Sequence, residues 1–327
     1  MKVAVIGAGS WGTALATLLE RNGHDVILIG REPDEIDAMR RDRVNARYLP
    51  GIKLGDNLAF GLIGDAPSVA DFWIVATPSG GVLETVRAIP QTNPFIVLAS
   101  KGLDSASCEL LSEVVARARP DALIGAISGP NLAIEVINGI PTATLAACSD
   151  PNQAAMICEA VRSPSFRAYY TDDLIGVELA GALKNVLAIG AGMSDGLGFG
   201  DNTKGALLAR GLREMVRLGL SKGAQLETFF GIAGVGDLFA TASSKLSRNY
   251  RVGYGLGKGQ DIAEILAEIG QVAEGVNTAA CVETLAKRSN LELPIMHMIH
   301  GVIMGQVSSR DAVVALMERE PKREALF

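Results

Sequence analysis

The pattern of hydrophobic and polar residues changes near residue 171. Before that point, short apolar runs alternate with longer stretches of helical periodicity, such as 13–21 and 107–118. Most of these runs are apolar throughout, which is typical of strands buried on both faces of a parallel sheet that helices cover. The alternation predicts right-handed crossover connections. The runs that predict strands are 2–6, 25–29, 72–76, 95–99, 122–126, 142–147 and 166–171.

From Asp172 onwards the helical period dominates and runs of β-branched residues disappear, as in 172–193, 202–220 and 263–270. Thr171, Asp172 and Asp173 are candidate caps for the first of these helices, where negative charge also interacts favourably with the helix dipole. We therefore predict two domains. Residues 1–171 form an α/β domain of Rossmann type on a parallel sheet, and residues 172–327 form an all-α domain.

A glycine motif, GAGSWG, lies between the first predicted strand and the first predicted helix. Gly7 permits a tight turn, Gly9 lacks the Cβ that would obstruct a pyrophosphate, and Gly12 lets the helix approach the strand. The free N–H groups at the start of the helix then face the phosphates. The motif in this context predicts a bound dinucleotide, NADP or NAD. The alternative is a tight turn that binds nothing.

Arg31 bears on the choice between the two cofactors, because it follows the second predicted strand directly after Gly30. An acidic residue at this place would bind the ribose hydroxyls of NAD, whereas an arginine can pair with the 2′-phosphate of NADP. Arg31 therefore favours NADP. The neighbouring Glu32 weakens the argument, so the sequence leaves both cofactors open.

Composition narrows the classes of partner. Of the 327 residues, 48% are hydrophobic and 20% are charged, and the formal net charge is −6. Because no long basic stretch compensates for this acidic total, the chain is not expected to bind nucleic acid. An anionic small molecule remains compatible, since a few Lys and Arg side chains can make a local site positive.

Cysteine spacing and hydropathy predict the cellular location. No cysteine belongs to a C-x-x-C pair, so neither a disulfide framework nor a metal site is expected. The first apolar run is too short for a signal peptide, and Glu178 and Lys184 interrupt the apolar stretch 177–193, so no membrane insertion is expected. We therefore predict a cytoplasmic protein. Its four cysteines are Cys108, Cys148, Cys158 and Cys281.

Two lysines are candidates for chemistry. Lys184 lies in an otherwise small and apolar helix, where a lysine needs an acidic companion or a lowered pKa, and both are typical of catalytic amines. The alternative is a lysine that extends to solvent at the edge of a helix bundle. Lys101 follows the strand predicted at 95–99, at the edge of the sheet where ligands bind. Its alternative is an ordinary surface lysine.

Ser247, Arg248 and Asn249 place a hydroxyl, a guanidinium and an amide in three consecutive positions. Together with backbone N–H groups, if a helix begins there, they would suit a phosphate. The alternative is a helix cap followed by a solvated arginine.

Several motifs, in order along nearly the whole chain, resemble those of the bacterial-type NAD(P)-dependent glycerol-3-phosphate dehydrogenases. The resemblance implies reversible oxidation of sn-glycerol 3-phosphate to dihydroxyacetone phosphate, mainly in the reducing direction that supplies glycerophospholipid synthesis. The motifs are GAGSWGTALA at the start, SKGL at 100–103, SGPNLAIEV at 128–136, LKNV at 183–186, GDNTKGALLARG at 200–211, AGVGDL at 233–238, SRN at 247–249 and VAEGV at 272–276.

The resemblance also implies residue roles, with Lys184 as the general base on the substrate hydroxyl. The family often has Ser or Thr where Asn131 stands. The implied substrate contacts are Lys101, Gly129, Asn131, Lys184, Asp237, Ser247, Arg248 and Asn249. The implied cofactor contacts are Gly7, Gly9, Ser10, Trp11, Gly12, Arg31, Lys101, Ala133, Arg248, Val272 and Glu274.

A general base must lose its proton near neutral pH, whereas an ordinary lysine has a pKa of about 10.4. Burial and a neighbouring cation such as Lys101 would lower the pKa of Lys184, but the charge of Asp237 would oppose this. The sequence leaves the balance open.

Two other functions compete with this one. A related two-domain dehydrogenase could act on 3-hydroxy acids or on 6-phosphogluconate, although Asp237 between glycines and the SRN triplet favour glycerol phosphate. A redox sensor could bind NAD(P)H without turnover, but it would not need Lys184. Apolar surface on the helical domain is compatible with a homodimer.

Overall fold

The computed structural model describes residues 1–320 and residue 323. The chain divides into two compact units. The N-terminal unit comprises Met1–Asp104 and Glu109–Val177, and the C-terminal unit comprises Ser105–Cys108 and the chain from Glu178 onwards. The division lies inside the helix that begins just after the predicted domain boundary at residue 171.

The N-terminal unit contains a sheet of eight strands in the described part of the chain, in the order β3-β2-β1-β4-β5-β6-β7-β8. Every predicted strand is present, so the predicted α/β class is confirmed. The strands are β1 (Lys2–Ile6), β2 (Asp25–Ile29), β3 (Ala59–Gly61), β4 (Phe72–Val75), β5 (Phe95–Leu98), β6 (Leu123–Ser128), β7 (Thr142–Cys148) and β8 (Phe166–Thr171).

The sheet differs from the prediction in two respects. Neighbouring strands are parallel except β6 and β7, which pair antiparallel. An apolar run reports burial on both faces but not strand direction, so the sequence pattern could not distinguish this pair. The strand β3 was not predicted, because three residues are too few to show a period.

Helices cover the sheet. The predicted helix 107–118 begins only at Leu111, because the backbone N–H of Asp104 donates to Glu109 O at 3.0 Å and closes a loop. Cys108, inside that loop, has a φ of 59°, which a helix does not tolerate. The helices of this unit are α1 (Ser10–Arg21), α2 (Pro33–Asp42), α3 (Val82–Arg87), α4 (Leu111–Ala118), α5 (Ala133–Ile137) and α6 (Pro151–Val161).

The C-terminal unit is helical in its described residues, as predicted. Its helices are α7 (Leu174–Gly196), which starts in the N-terminal unit, α8 (Asp201–Ser221), α9 (Leu226–Phe230), α10 (Asp237–Ser243), α11 (Arg248–Gly257), α12 (Ile262–Ile269), α13 (Glu274–Arg288), α14 (Pro294–Ile303) and α15 (Ser309–Met317). A π-helical turn, Ile232–Gly236, joins α9 to α10. The predicted cap of α7 is present, since Asp173 Oδ1 accepts from the N–H of Gly176 at 2.9 Å.

The helix α7 is the central element of the C-terminal unit. It is long and apolar enough to cross a membrane, but 89% of its most apolar window is buried within the protein, which is typical of a core helix. The helix α11 packs directly against it. A Cβ on Gly192 would lie 2.1 Å from the carbonyl oxygen of Tyr250, so the two backbones touch at this glycine. The residues of the SRN motif cap and begin α11, so this contact lies close to them.

Candidate functional site

The glycine turn that follows β1 has the predicted geometry. Gly7 has a φ of 116°, and a Cβ on it would lie 2.7 Å from the carbonyl carbon of Ala76. A Cβ on Gly12 would lie 1.9 Å from Gly7 O, so only a glycine at this position permits helix α1 to approach the turn this closely. A Cβ on Gly9, in contrast, would meet no described protein atom within 4 Å. Gly9 therefore borders open space, where the motif predicts a pyrophosphate.

Polar atoms around the turn also fit a dinucleotide. Within residues 1–320, helix α1 has no side-chain cap and no acidic residue in its first turn, so its N–H groups suit an anion. Trp11 Nε1 and Thr77 Oγ1 are buried and lack a hydrogen-bond partner among the described residues. Buried polar atoms nearly always have partners, so these two indicate a ligand with acceptor atoms. The residues present therefore fit NAD or NADP.

Asn45 forms hydrogen bonds to the glycine turn, a role that was not predicted from the sequence. Asn45 Nδ2 donates to Ala8 O at 2.9 Å and to Thr13 Oγ1 at 2.8 Å, while its Oδ1 accepts from the N–H of Tyr48 at 3.3 Å. The hydroxyl of Ser10, a predicted cofactor contact, donates to Tyr48 O at 3.2 Å. The loop after α2 thus holds both ends of the glycine turn.

We expect Asn45→Ala to raise the Kd for NADPH about tenfold, because a turn without these bonds no longer presents its N–H groups in one arrangement. Titration of NADPH fluorescence measures the effect without turnover. Asn22→Ala is the matched control, since Asn22 Nδ2 bonds to Ala160 O and Arg162 O at the other end of α1. Equal NADPH affinity in the two variants would contradict the assignment.

Arg31 lies just beyond the end of β2, where it was predicted to meet the adenosine end of the cofactor. Its side chain is 93% exposed, and its Nε lies 2.8 Å from Glu32 Oε1. The guanidinium is therefore reachable from solvent, but Glu32 competes for it. The same two residues made the sequence compatible with both NADP and NAD.

Of the predicted site residues that follow β5 and β6, Lys101 and Gly129 are in contact. Lys101 Nζ donates to Gly129 O at 2.8 Å, so these two predicted substrate contacts are neighbours. The side chain of Asn131 has a structural role, since Nδ2 donates to Ala143 O and Oδ1 accepts from Thr144 Oγ1, both at 2.9 Å. Ala133 begins α5 and packs, half-buried, against the core.

Lys184 is buried in the C-terminal unit with the acidic companion that the sequence led us to expect. Its side chain lies on α7, and its Nζ is 3.1 Å from Asp237 Oδ1 at the start of α10. Only 6% of Lys184 and 2% of Asp237 are exposed. The alternative, a lysine that extends to solvent at the edge of the bundle, is therefore wrong.

Thr241 completes this group. Lys184 Nζ donates to Thr241 Oγ1 at 2.6 Å, and the same hydroxyl donates to Asp237 Oδ1 at 3.1 Å. The sequence contained a signal for it, because Asp237 and Thr241 are four residues apart on one helix and hence on one face. Neither the α10 helix nor its start was predicted, so the pair was missed.

The SRN residues begin α11, as the phosphate interpretation required. Ser247 is the cap, since its Oγ accepts from the N–H of Tyr250 at 3.2 Å, so for Ser247 the alternative interpretation as a helix cap is confirmed. Arg248 is exposed at the start of the helix, and its Nη1 donates to Val272 O at 2.8 Å. Two predicted cofactor contacts, Arg248 and Val272, are thus neighbours.

Asn249 connects three helices by hydrogen bonds of its side chain. Its Nδ2 donates to Asn185 Oδ1 at 2.9 Å, and its Oδ1 accepts from the N–H of Gly275 at 3.0 Å. Gly275 belongs to helix α13, and Glu274, the remaining predicted cofactor contact, is the first residue of that helix. Asn185, to which the sequence assigned no role, joins α7 to α11 through its bond with Asn249.

The described residues contain no group of three or more His, Cys, Asp or Glu side chains placed to hold a metal ion. The four cysteines are free thiols.

Comparison with known proteins gives a consistent result over the whole chain. Residues 2–154 match the family model for the N-terminus of NAD-dependent glycerol-3-phosphate dehydrogenase, and residues 173–314 match the model for its C-terminus. Proteins named glycerol-3-phosphate dehydrogenase (NAD(P)+) are 44% identical in Geobacter sulfurreducens, over 99% of this chain and 98% of the relative, and 43% identical in Stenotrophomonas maltophilia, over 99% and 96%. A crystal structure of glycerol-3-phosphate dehydrogenase from Coxiella burnetii matches with a TM-score of 0.93 and 38% identity, over 97% of this chain and 99% of that one.

Proposed function

Because this chain belongs to the NAD(P)-dependent glycerol-3-phosphate dehydrogenase family, we propose that it interconverts glycerol 3-phosphate and dihydroxyacetone phosphate with Lys184 as the group that moves the hydroxyl proton. The resemblance of its motifs to this family is confirmed. The chain is an oxidoreductase that uses NAD or NADP. The observation that carries the proposal for Lys184 is its burial beside Asp237 and Thr241.

Lys184 donates or accepts the proton, and the nicotinamide, when bound, supplies or accepts the hydride. Reduction of the ketone adds a proton to the carbonyl oxygen, and Nζ of the ammonium donates it as negative charge develops there. Oxidation reverses the step, so the neutral amine takes the proton of the hydroxyl. Asp237 and Thr241 hold Nζ in one position, which favours a single geometry for the transfer.

Arg248 binds the phosphate of the substrate, with the hydroxyl of Ser247 and the N–H groups that begin α11. The guanidinium offers two parallel donors to phosphate oxygens, and the positive end of the helix dipole adds to their effect. Asn249 contributes by holding α11 against α7 and α13. Lys101 and Gly129, which are hydrogen-bonded neighbours in the SKG and SGPN motifs, are further substrate contacts in this proposal.

An assay of NADH and NADPH oxidation with dihydroxyacetone phosphate tests this function. We expect turnover with this ketone, and none in the reverse assay with 3-hydroxybutyrate or 6-phosphogluconate. Turnover with either of those would favour a related dehydrogenase. Binding of NADPH without turnover of any of the three would favour the redox sensor.

Arg31 selects NADP in this proposal. We expect Arg31→Ala to lower the ratio of kcat/KM for NADPH to kcat/KM for NADH about tenfold, because a charge-assisted hydrogen bond to the 2′-phosphate is lost. Arg41→Ala is the control, since Arg41 is an exposed arginine paired with Asp42. An unchanged ratio in Arg31→Ala would show that Arg31 does not choose the cofactor.

The same proposal places the enzyme in the cytoplasm, without nucleic acid or membrane insertion, where it reduces dihydroxyacetone phosphate for glycerophospholipid synthesis. The net charge of −6 and the burial of α7 support this environment. The enzyme forms a homodimer through the C-terminal unit, which exposes the large apolar side chains of Phe230, Phe239 and Leu246. Sedimentation of the full chain tests the dimer.

A further inference from the structure

A polar group outside the proposed active site joins three helices of the C-terminal unit. Asp195, near the end of α7, accepts from Lys204 Nζ on α8 at 2.8 and 3.0 Å. Its Oδ2 also accepts from the hydroxyl of Tyr250 on α11 at 2.6 Å. We refer to Asp195, Lys204 and Tyr250 as the Asp195 network. Lys204 comes from the GDNTKG motif, to which the proposed function gives no role.

The Asp195 network is attached to the start of α11 through Tyr250. Tyr250 is the third residue of that helix, and its backbone N–H donates to Ser247 Oγ. Its side chain donates to Asp195, and its carbonyl oxygen lies against Gly192 of α7. Burial raises the pKa of the Tyr250 phenol, so its hydroxyl stays protonated and remains a donor at working pH. Tyr250 therefore links the capped first turn of α11 to Asp195 and to Gly192 of α7.

We propose that the Asp195 network positions Arg248 for the phosphate of the substrate. Its three members are positioning residues, and the inference rests on the proposed phosphate-binding role of Arg248. Arg248 and Tyr250 belong to the same helical turn. If the hydrogen bond from the Tyr250 hydroxyl is lost, this turn can shift, and the guanidinium of Arg248 shifts with it. Two parallel hydrogen bonds to phosphate tolerate little displacement, so binding weakens when the turn moves.

The matched pair Tyr250→Phe and Tyr254→Phe tests this proposal. Tyr254 lies one turn further along α11, is 42% exposed and stacks on Tyr250 with ring centroids 6.4 Å apart. We expect Tyr250→Phe to raise the KM for dihydroxyacetone phosphate about tenfold and to leave kcat within about twofold, as loss of uniform binding requires. Tyr254→Phe should behave as the wild type.

A second pair of variants distinguishes a positioning role from a general effect on stability. Lys204→Arg keeps the ion pair with Asp195 and should keep a wild-type KM, whereas Lys204→Met should raise KM as Tyr250→Phe does. Thermal unfolding of each variant identifies loss of stability. A lower Tm with an unchanged KM in Tyr250→Phe would overturn the proposal, as would equal KM values for Lys204→Arg and Lys204→Met.

Arg248→Ala in the same assay distinguishes failure of this inference from failure of the proposed function. If Arg248→Ala raises KM while Tyr250→Phe does not, the network does not position Arg248 and the phosphate assignment stands. If Arg248→Ala leaves KM unchanged, the phosphate assignment itself is wrong and the inference fails with it.

Discussion

Lys184→Ala should lower kcat about 10³-fold while leaving the Kd for NADPH unchanged. General acid–base groups typically contribute a factor of about 10² to 10⁴, and Lys184 is the buried amine of the group with Asp237 and Thr241. Steady-state oxidation of NADPH with dihydroxyacetone phosphate measures kcat, and fluorescence titration measures cofactor affinity. Lys222→Ala, at the end of α8, is the control for loss of a lysine from the C-terminal unit.

Loss of stability must be separated from loss of catalysis in this experiment. Lys184→Ala leaves the Asp237 carboxylate buried without its ammonium partner, which costs about 3–5 kcal/mol of folding free energy when such a pair is broken. The double variant Lys184→Met with Asp237→Asn removes both charges and should recover much of the unfolding free energy. It should still show the low kcat. Near-normal turnover in either variant would exclude Lys184 as the proton-transfer group.

The glycine turn was predictable because its chemistry is local. Gly7, Gly9 and Gly12 lie within six residues, and the demands on each arise from the adjoining strand and helix. The apolar runs that form β1, β2 and β4 to β7 were predictable for a similar reason, since burial on both faces makes consecutive residues apolar. Strand direction has no such effect on the sequence, which is why the antiparallel pairing of β6 with β7 was missed.

The residues that the sequence did not assign meet their partners across long separations in the chain. Asn45 reaches Ala8 and Thr13 from a loop 37 and 32 residues away. Thr241 meets Lys184 across 57 residues. An amide or hydroxyl in such places resembles any loop or helix residue until the fold is known.

Two predicted contacts illustrate how a structural role can coincide with a motif. Asn131 uses both side-chain groups to hold β7, and Asn249 uses both to join three helices. A motif shared by a family marks a constraint, but packing and ligand binding constrain a residue equally well. At the start of α11, Arg248 is exposed and Asn249 is buried.

Arg248→Ala should raise the KM for dihydroxyacetone phosphate about 100-fold with little change in kcat, since a hydrogen bond to a charged group contributes about 1.5–3 kcal/mol, which is about 10- to 150-fold in affinity. A contact that is equally strong in the ground and transition states changes KM alone. Arg251→Ala, one turn further along α11, is the control for loss of an exposed arginine.

Arg248→Lys sharpens the test, because lysine keeps the charge but loses the planar pair of donors. If the guanidinium binds the phosphate through two parallel hydrogen bonds, the KM of Arg248→Lys should lie between those of the wild type and Arg248→Ala. If the contribution were charge alone, Arg248→Lys would match the wild type. A fall in kcat equal to the rise in KM would instead place Arg248 in the proton-transfer step and would contradict its assignment to the phosphate.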